Sequence, residues 1–256
     1  MTTPPPPTID PPAPRRVDVH CHCLPAVDDG PRSVFESIEL CRALVGDGFT
    51  DVIATPHQLG RWEETNHARD VRSLVAKLAA ILAQEAIPLR LHAGGEVRVD
   101  ERLPEFLSAD RVLTLADGGR YLLIELALTS YIPPEALLAH LASVRPTIVL
   151  AHPERYVPLQ RDPAAAERWL AGGARLQVNA DALTGATGPA SKAAALDWIA
   201  RGWVSLVATD AHDARTRRPR MTDAIELIRE HAGDATVRRV CIDNPLRVLQ
   251  GMALED

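Results

Sequence analysis

Short apolar runs alternate with longer amphipathic stretches along almost the whole chain, and this alternation limits the possible folds more than any other feature. The apolar runs have the length of buried strands and lie at residues 16–20, 51–55, 89–94, 121–126, 147–151, 175–179 and 204–209. Helical patterns lie at residues 33–45, 66–85, 134–144, 162–171, 190–200, 221–231 and 235–250. Strands that alternate with helices predict a parallel sheet with crossover helices.

Seven predicted strands are one fewer than the eight of a complete α/β barrel, so we expect an incomplete barrel over residues 16–256. The chain length of 256 residues fits a single domain of this kind. An open doubly wound sheet is the alternative, although no GxGxxG or GxxxxGKS/T sequence follows any predicted strand. Residues 1–15 are rich in Pro and predict a disordered or polyproline-type tail.

Charge and hydropathy argue against two classes of function. The formal net charge is -6, and no basic run is long enough to follow a nucleic-acid backbone. No apolar run reaches the roughly 18 residues expected of a membrane span. The first residues lack the apolar segment of a secretory signal, and the four cysteines form no CxxC pair. We therefore expect a cytoplasmic protein with reduced thiols, no nucleic-acid partner and no membrane span.

Histidines and carboxylates stand at the carboxyl ends of six predicted strands. The first strand ends in His20-Cys21-His22, and alternate residues of an extended chain face the same side. The other five strand ends carry His57, Glu96, Glu125, His152, and the pair Asp210 and His212. Buried carboxylates are costly together unless cations offset their charge. The pattern therefore predicts divalent metal ions, and imidazole with carboxylate suits Zn, Mn or Fe better than Ca or Mg.

The sequence Asp28-Asp29-Gly30 follows the histidine pair of the first strand. Such a sequence is commonly a turn, and here it can also return one carboxylate to the site. The spacing alone does not choose between Asp28 and Asp29. The remaining histidines fall in predicted helices or in the middle of a strand, and we interpret them as structural. They are His67, His92, His140 and His231.

The motifs HxH, DDG, TPH, GGE, IEL, AHPERY and TDAH together resemble those of the PHP superfamily of polymerase- and histidinol-phosphatase-type domains. The narrower resemblance is to the bacterial protein-tyrosine phosphatases found with capsule and exopolysaccharide genes. It rests on VDDGP, AHPERY, TDAH and the late IDNP, and it covers residues 17–249. The resemblance implies a distorted (β/α)7 TIM-like barrel of PHP type and a hydrolase of phosphate monoesters, namely a metal-dependent protein-tyrosine phosphatase.

The resemblance also implies two or three divalent ions, with Mn expected first and Zn, Fe or Co as alternatives. It favours Asp29 over Asp28, because the family's ligand is the acid immediately before the Gly. A water that bridges the ions is the expected nucleophile, since metals lower the pKa of water. The implied ligands are His20, His22, Glu96 and Asp210 for the first ion, Glu96, Glu125 and His152 for the second, and Asp29, His57 and His212 for the third.

Three arginines are expected to bind the substrate. By resemblance, Arg155 of HPERY and Arg217 after the last DxH hold the phosphate and are the catalytic cations. Related chains often have a His or a basic pair directly after TPH, whereas this chain has Gln58, and Arg61 is the basic residue of that loop. The implied substrate is a phosphotyrosine protein, such as a bacterial tyrosine kinase of polysaccharide export, or a small aryl phosphate.

Other hydrolases and a non-catalytic protein are the alternatives. A small-molecule phosphatase of histidinol-phosphate type, or another PHP-type phosphoesterase, would use much the same ligands. Phosphotriesterase-like barrels often use a carboxylated Lys, but Lys77 and Lys192 lie away from the predicted strand ends. A scaffold that had lost its chemistry would not need all nine potential ligands.

A cysteine-dependent tyrosine phosphatase is a further alternative, because Cys241 and Arg247 have the C-x5-R spacing of that class. Such enzymes surround the phosphate with backbone N–H groups. Pro245 removes one of these donors, and Asp243 places an anion where the phosphate would bind. We therefore interpret Cys241 as a packed core residue.

Overall fold

The computed structural model describes residues 15–256, so the predicted tail lies outside the described residues except for Arg15. Strands occupy all seven predicted positions, and the second and the third are each followed, beyond their predicted ends, by a short strand that was not predicted. In the described part of the chain the strands are β1 (Val17–Cys21), β2 (Asp51–Ala54), β3 (His57–Gln58), β4 (Arg90–Ala93), β5 (Glu96–Arg98), β6 (Tyr121–Glu125), β7 (Thr147–Ala151), β8 (Arg175–Asn179) and β9 (Val204–Ala208).

The two short strands that were not predicted, β3 and β5, are separated from the strands before them by Pro and Gly residues. Pro56 separates β2 from β3, and it has no N–H with which to continue the β2 ladder. Gly94 and Gly95 separate β4 from β5. A Cβ atom at Gly94 would lie 2.6 Å from Cγ2 of Ile53, and one at Gly95 would overlap the Gln58 side chain. Both strands therefore change direction where the backbone lacks a donor or a side chain.

All strand pairs are parallel, and the strands follow sequence order around a distorted barrel. One sheet has the order β1-β2-β4 and the other the order β3-β5-β6-β7-β8-β9. A bridge between Cys21 and Ala211 connects β1 to the end of β9, and the Asp210 N–H donates to the His20 carbonyl at 2.8 Å. A doubly wound sheet would instead reverse its strand order at a switch point.

Ten α-helices cover the barrel within residues 15–256. The helices α3, α5 and α7 were not predicted, because five or six residues are too few to show a 3.6-residue period. The helix α9 extends beyond its predicted end through a kink at Gly233, where φ is 80°. The helices are α1 (Val34–Gly46), α2 (Ala68–Gln84), α3 (Leu103–Ser108), α4 (Pro134–His140), α5 (Val157–Arg161), α6 (Pro163–Ala171), α7 (Ala180–Thr184), α8 (Pro189–Ala200), α9 (Met221–Arg238) and α10 (Asn244–Leu249).

The hydrophobic core has two layers. The larger layer lies between strands and helices and includes Trp169 and Trp198, both buried. The smaller layer fills the barrel interior, where Leu123 packs with Leu115 and Val248. The last two come from a 3₁₀ turn (Leu115–Asp117) and from α10, so they fill the amino-terminal end of the barrel. The carboxyl-terminal end is left to polar side chains. None of the described helices is both long and apolar enough to cross a membrane.

Candidate metal centre

All nine residues that the sequence predicted as ligands meet at the carboxyl-terminal end of the barrel. In the described part of the chain they form four overlapping groups, and within each group the potential ligand atoms lie within 4.8 Å of one another. We call this cluster the candidate centre. The groups are His22, Asp29, His57 and His212; His20, His152 and Asp210; His20, His22 and Glu96; and His57, Glu96 and Glu125.

The grouping differs in several places from the one that the resemblance implied. His22 lies with Asp29, His57 and His212, although it was expected at the first ion only. Glu125 lies with His57 and Glu96 rather than with His152. One cause is the register of the parallel strands, in which His57 of β3 stands directly beside Glu96 of β5.

An irregularity in β1 places both histidines of HxH in the candidate centre. The register between β1 and β2 shifts between Asp18 and Cys21, so three steps along β1 match two along β2. Such a bulge redirects the side chains that follow it. Nε2 of His20 and Nε2 of His22 are 3.3 Å apart, while Cys21 is buried in the outer core.

Hydrogen bonds to Nδ1 orient three of the imidazoles. An acceptor at Nδ1 keeps the ring proton there and leaves the lone pair of Nε2 free for a metal ion. This tautomer follows from the acceptor in each pair, since an amide oxygen, a carboxylate and a carbonyl accept only. The pairs are His20 with Oε1 of Gln177 at 2.7 Å, His22 with Oδ2 of Asp28 at 2.7 Å, and His212 with the carbonyl of Asp210 at 2.8 Å.

Glu96 is fully buried and lies at the middle of the candidate centre. Its Oε2 is 2.9 Å from Nδ1 of His57, 3.3 Å from Nε2 of His22 and 3.5 Å from Nε2 of His20. Its Oε1 accepts from Nε2 of His152 at 2.7 Å. Burial alone would raise the pKa of Glu96, but His20 and His152 outweigh it and hold the pKa well below its usual range. The carboxylate is therefore ionised and available to a cation.

Two buried atoms show that the donor set fits divalent ions. Within residues 15–256, Oε2 of Glu96 and Nε2 of His212 are buried and have no hydrogen-bond partner. Burial lowers the pKa of His212 to about 4, so its imidazole is neutral at physiological pH. A nitrogen of a neutral imidazole and an oxygen of an ionised carboxylate, each without a hydrogen-bond partner, are what a metal ion requires.

Two of the predicted ligands have strained backbones. His152 follows β7 with a φ of 34°, and Asp210 follows β9 with a φ of 51°. Residues other than glycine seldom adopt positive φ, and such strain is common at functional sites. Asp210 is also held by the side chain of Asn179, whose Nδ2 donates to Oδ2 at 2.8 Å.

The sequence interpretation missed the polar residues that support the candidate centre. Strand β8 carries none of the nine predicted ligands, but Gln177 and Asn179 on its inner face hydrogen-bond His20 and Asp210. Their alternation in the sequence QVN, at the same strand end as the other polar groups, is the signal that would have found them. Arg98, whose Nη1 donates to Oε2 of Glu125 at 3.0 Å, was also missed.

The two acids of DDG have different positions. Asp28 lies behind His22 and also accepts from the backbone N–H of Gly30 and of His57. Asp29 reaches the candidate centre, where its Oδ1 lies 3.3 Å from Nε2 of His57 and 3.3 Å from Nε2 of His212. The tertiary structure therefore separates two residues that the spacing could not.

The three predicted arginines all line a cavity of about 450 Å³ that covers the candidate centre. Nη1 of Arg155 is 3.2 Å from Oδ2 of Asp210. The guanidinium of Arg217 lies 3.3 Å from Oδ2 of Asp29 and 3.4 Å from Oδ2 of Asp210. Arg61 is exposed and stacks on Trp62, with 4.7 Å between Cζ and the ring centroid.

Gln58, in contrast, has a structural position. It is buried, its Nε2 donates to the Asn66 carbonyl at 2.7 Å, and its Oε1 accepts from the Leu113 N–H at 2.8 Å. Gln58, the residue after TPH at which this chain differs from related chains, thus holds the β3 loop in place.

A sequence profile described as "Capsular polysaccharide synthesis, CpsB/CapC" matches residues 16–250. The chain belongs to this CpsB/CapC family. This CpsB/CapC chain is 32% identical over 219 residues to the tyrosine-protein phosphatase YwqE of Bacillus subtilis, and the match covers 85% of each protein. It is 27% identical to the tyrosine-protein phosphatase CpsB of Streptococcus pneumoniae, a match that covers 91% of this chain and 98% of the relative.

Solved structures agree with this family assignment. The chain matches a crystal structure from work on YwqE of Bacillus subtilis and CpsB of Streptococcus pneumoniae, described as "unique metal-dependent tyrosine phosphatases". The TM-score is 0.88 at 29% identity, with 93% of this chain and 96% of the other covered. A lactonase from Listeria monocytogenes shares only the fold, with a TM-score of 0.53 at 13% identity over 94% of this chain and 95% of the other. The resemblance and the barrel predicted from the sequence are confirmed.

Proposed function

We propose that this CpsB/CapC chain is a metal-dependent protein-tyrosine phosphatase. The observation that carries the proposal is the candidate centre, in which nine histidines and carboxylates meet below a cavity lined by Arg155 and Arg217. The YwqE and CpsB relatives, both named tyrosine-protein phosphatases, support it. Cations below the cavity and guanidinium groups beside it together match the charge of a phosphate dianion.

The nine residues of the candidate centre would hold two or three divalent ions, with Mn expected first and Zn, Fe or Co as alternatives. The mixed imidazole and carboxylate donors support this choice. Ions bound there supply Lewis acidity and lower the pKa of water toward neutrality. The chain itself supplies ionised carboxylates, imidazoles whose orientation is set by hydrogen bonds to Nδ1, and second hydrogen bonds that keep these groups in place.

Arg155 and Arg217 would orient the phosphoryl oxygens through charge-assisted hydrogen bonds. Both guanidinium groups already lie beside carboxylates of the candidate centre, so they enter the cavity from one side. Leu59 and Trp62 line the same cavity and offer apolar contact to an aromatic ring. A phenolate has a pKa near ~10 and needs less protonation on leaving than an alkoxide does. Aryl phosphates should therefore react faster than alkyl phosphates.

The proposed substrate is a phosphotyrosine protein, with a tyrosine kinase of polysaccharide export as one candidate. The family description, which concerns capsular polysaccharide synthesis, supports this choice. We place the enzyme in the cytoplasm. All four cysteines of the chain are free and buried, as is usual in a reducing compartment.

The proposal is tested by the turnover of p-nitrophenyl phosphate and of a phosphotyrosyl peptide after the stripped protein has been refilled with Mn, Zn, Fe, Co or Mg. We expect metal-dependent turnover of both substrates, and we expect Glu96→Ala to abolish it because Glu96 touches four histidines of the candidate centre. Turnover of the small ester alone would favour a small-molecule phosphatase. An absence of turnover with every metal would refute a phosphatase.

A further inference from the structure

A second cavity, of about 490 Å³, adjoins the cavity over the candidate centre, and Arg155 lines both. Its walls come from the segments that follow β6, β7 and β8, so it opens on the same face of the barrel. None of the functions assigned above uses it. It is lined by Leu128, Arg155, Gln160, Thr187, Gly188, Pro189, Ala190 and Ser191.

One wall of this second cavity carries hydrogen-bond donors. Within the described chain, Oγ1 of Thr187 is buried and has no hydrogen-bond partner. The helix α8 begins beside it with Gly188 as its N-cap, and glycine has no side chain that could accept from the first-turn N–H groups. Donors that lack acceptors suit the carbonyl oxygens of a peptide backbone.

Another part of the lining is apolar and partly exposed. Leu128, in the loop after β6, has 40% of its surface exposed beside the cavity. Gln160 connects two segments of the lining, because its Nε2 donates to the Glu154 carbonyl at 2.7 Å and to Oγ of Ser191 at 3.3 Å. Backbone N–H donors and an apolar side chain in the same cavity are typical of sites that bind extended peptides.

We infer that the second cavity binds the polypeptide segment next to the phosphotyrosine. This inference depends on the proposed phosphatase function. A small aryl ester ends at the first cavity, whereas each further residue of an extended peptide advances about 3.3 Å. Arg155 connects the two cavities, so a peptide whose phosphate reaches Arg155 enters the second one.

The variant Ala190→Phe tests the inference, because it places a large side chain at the second cavity without changing any residue of the candidate centre. Ala164→Phe is its matched control. Both alanines are exposed and follow a proline at the first position of a helix, α8 and α6 respectively, but Ala164 does not line the cavity. The probes are p-nitrophenyl phosphate and a phosphotyrosyl peptide of about ten residues, long enough at ~3.3 Å per residue to span both cavities.

We expect Ala190→Phe to raise KM for the peptide about tenfold, equivalent to ~1.4 kcal/mol, and to leave kcat/KM for the small ester unchanged. Ala164→Phe should change neither value. A smaller increase in peptide KM is expected for Thr187→Val, which removes the unpartnered hydroxyl but keeps the shape of the side chain. If Ala190→Phe alters both substrates equally, or alters the peptide no more than Ala164→Phe does, the inference is wrong. Failure of the wild type on the small ester would instead refute the proposed function.

Discussion

Asp28 and Asp29 are neighbours in sequence, yet only one of them reaches the candidate centre. Burial alone would raise the pKa of Asp28, but His22 and the N–H groups of Gly30 and His57 outweigh it and lower the pKa. Asp28 is therefore an ionised acceptor that keeps the His22 ring in one orientation. Such partners of metal-binding histidines contribute to metal affinity without touching the ion.

The variant Asp28→Asn tests this role at a single atom pair. We expect an affinity for Mn that is about 10–100-fold lower, because an amide accepts from Nδ1 of His22 less strongly than a carboxylate does. Calorimetric titration of the stripped protein with Mn measures the change. Asp197→Asn, which removes an exposed ion pair with Arg201, is the control and should bind Mn normally. Equal affinity in wild type and Asp28→Asn would show that Asp28 does not support His22.

Cys241 illustrates a motif whose spacing suggests a chemistry that its surroundings do not support. Burial raises the pKa of the Cys241 thiol to about 12, so the thiolate is scarce at neutral pH. Arg247, the other end of the C-x5-R spacing, pairs instead with Glu255 near the C-terminus. Neither residue lines the cavity over the candidate centre.

We therefore expect Cys241→Ser to keep most of its phosphatase activity on p-nitrophenyl phosphate. Its KM should also stay close to the wild-type value, since no substrate atom reaches Cys241. A circular dichroism spectrum that matches the wild type is the control for folding. A folded Cys241→Ser protein with only a trace of activity would instead favour a cysteine-dependent phosphatase mechanism.

At the level of elements, the side chain of Asp51 links the amino-terminal ends of three adjacent strands, β1, β2 and β4. Its buried carboxylate, at the start of β2, accepts from Nε of Arg15 at 3.1 Å, ahead of β1. It also accepts from Nε of Arg90 at 2.9 Å and lies 3.0 Å from Nε2 of His92, both on β4. Burial alone would raise the pKa of Asp51, but Arg90 and Arg15 outweigh it and hold the pKa well below its usual range.

This arrangement predicts how stability depends on pH. Because the pKa of Asp51 is lower in the folded chain than the ~3.9 of an unfolded one, its contribution is complete at neutral pH and declines as the pH falls below about 4. Asp51→Asn should lower the free energy of unfolding at pH 7 by about 1–3 kcal/mol. The difference in the free energy of unfolding between Asp51→Asn and the wild type should become smaller at acidic pH.

Urea denaturation of both proteins between neutral pH and about pH 3, below the ~3.9 of an unfolded Asp, measures this difference. Asp234→Asn removes an exposed ion pair with Arg229 in α9 and serves as the control, with almost no effect at any pH. If the free energy of unfolding of Asp51→Asn differs from that of the wild type by the same amount at every pH, the pKa of Asp51 is not lowered in the folded chain.

At the level of the whole molecule, the candidate centre connects strands from all around the barrel. Eight of its nine residues lie on β1, β3, β5, β6, β7 and β9 or within four residues of their ends, and β8 supports them with Gln177 and Asn179. The ninth, Asp29, lies in the loop between β1 and α1. Ions that bind this arrangement bind the folded chain and not the unfolded one. Metal binding should therefore stabilise the whole barrel.

We expect the stripped protein to unfold at a lower temperature than the refilled one. Free Mn at about 100 times its Kd stabilises by ~2.7 kcal/mol, which corresponds to a Tm increase of about 5–11 °C for a domain of this size. Differential scanning calorimetry with and without Mn measures the increase. Glu96→Ala should show a much smaller increase in Tm when Mn is added. The same Tm for stripped and refilled wild type would mean that the ions do not bind this centre.

The sequence by itself determined the barrel and most of the membership of the candidate centre. Strand and helix periods are local properties, so their alternation can be read without knowing any distant contact. Parallel strands also bring their carboxyl ends to one face, so polar residues that end successive strands, such as His57 and Glu125, must come close together. Eight of the nine residues of the centre follow from these two facts, and Asp29, which lies in a loop, is the exception.

Only the tertiary structure decided what depends on residues that are distant in sequence. It separated Asp28 from Asp29, because the difference lies in how close each one is to His212. It identified Gln177 as the support of His20, which lies 157 positions away. It divided two strands at Pro56 and at Gly94, where the path of the backbone depends on a neighbouring strand. Each of these outcomes depends on packing between elements, and no local pattern contains that information.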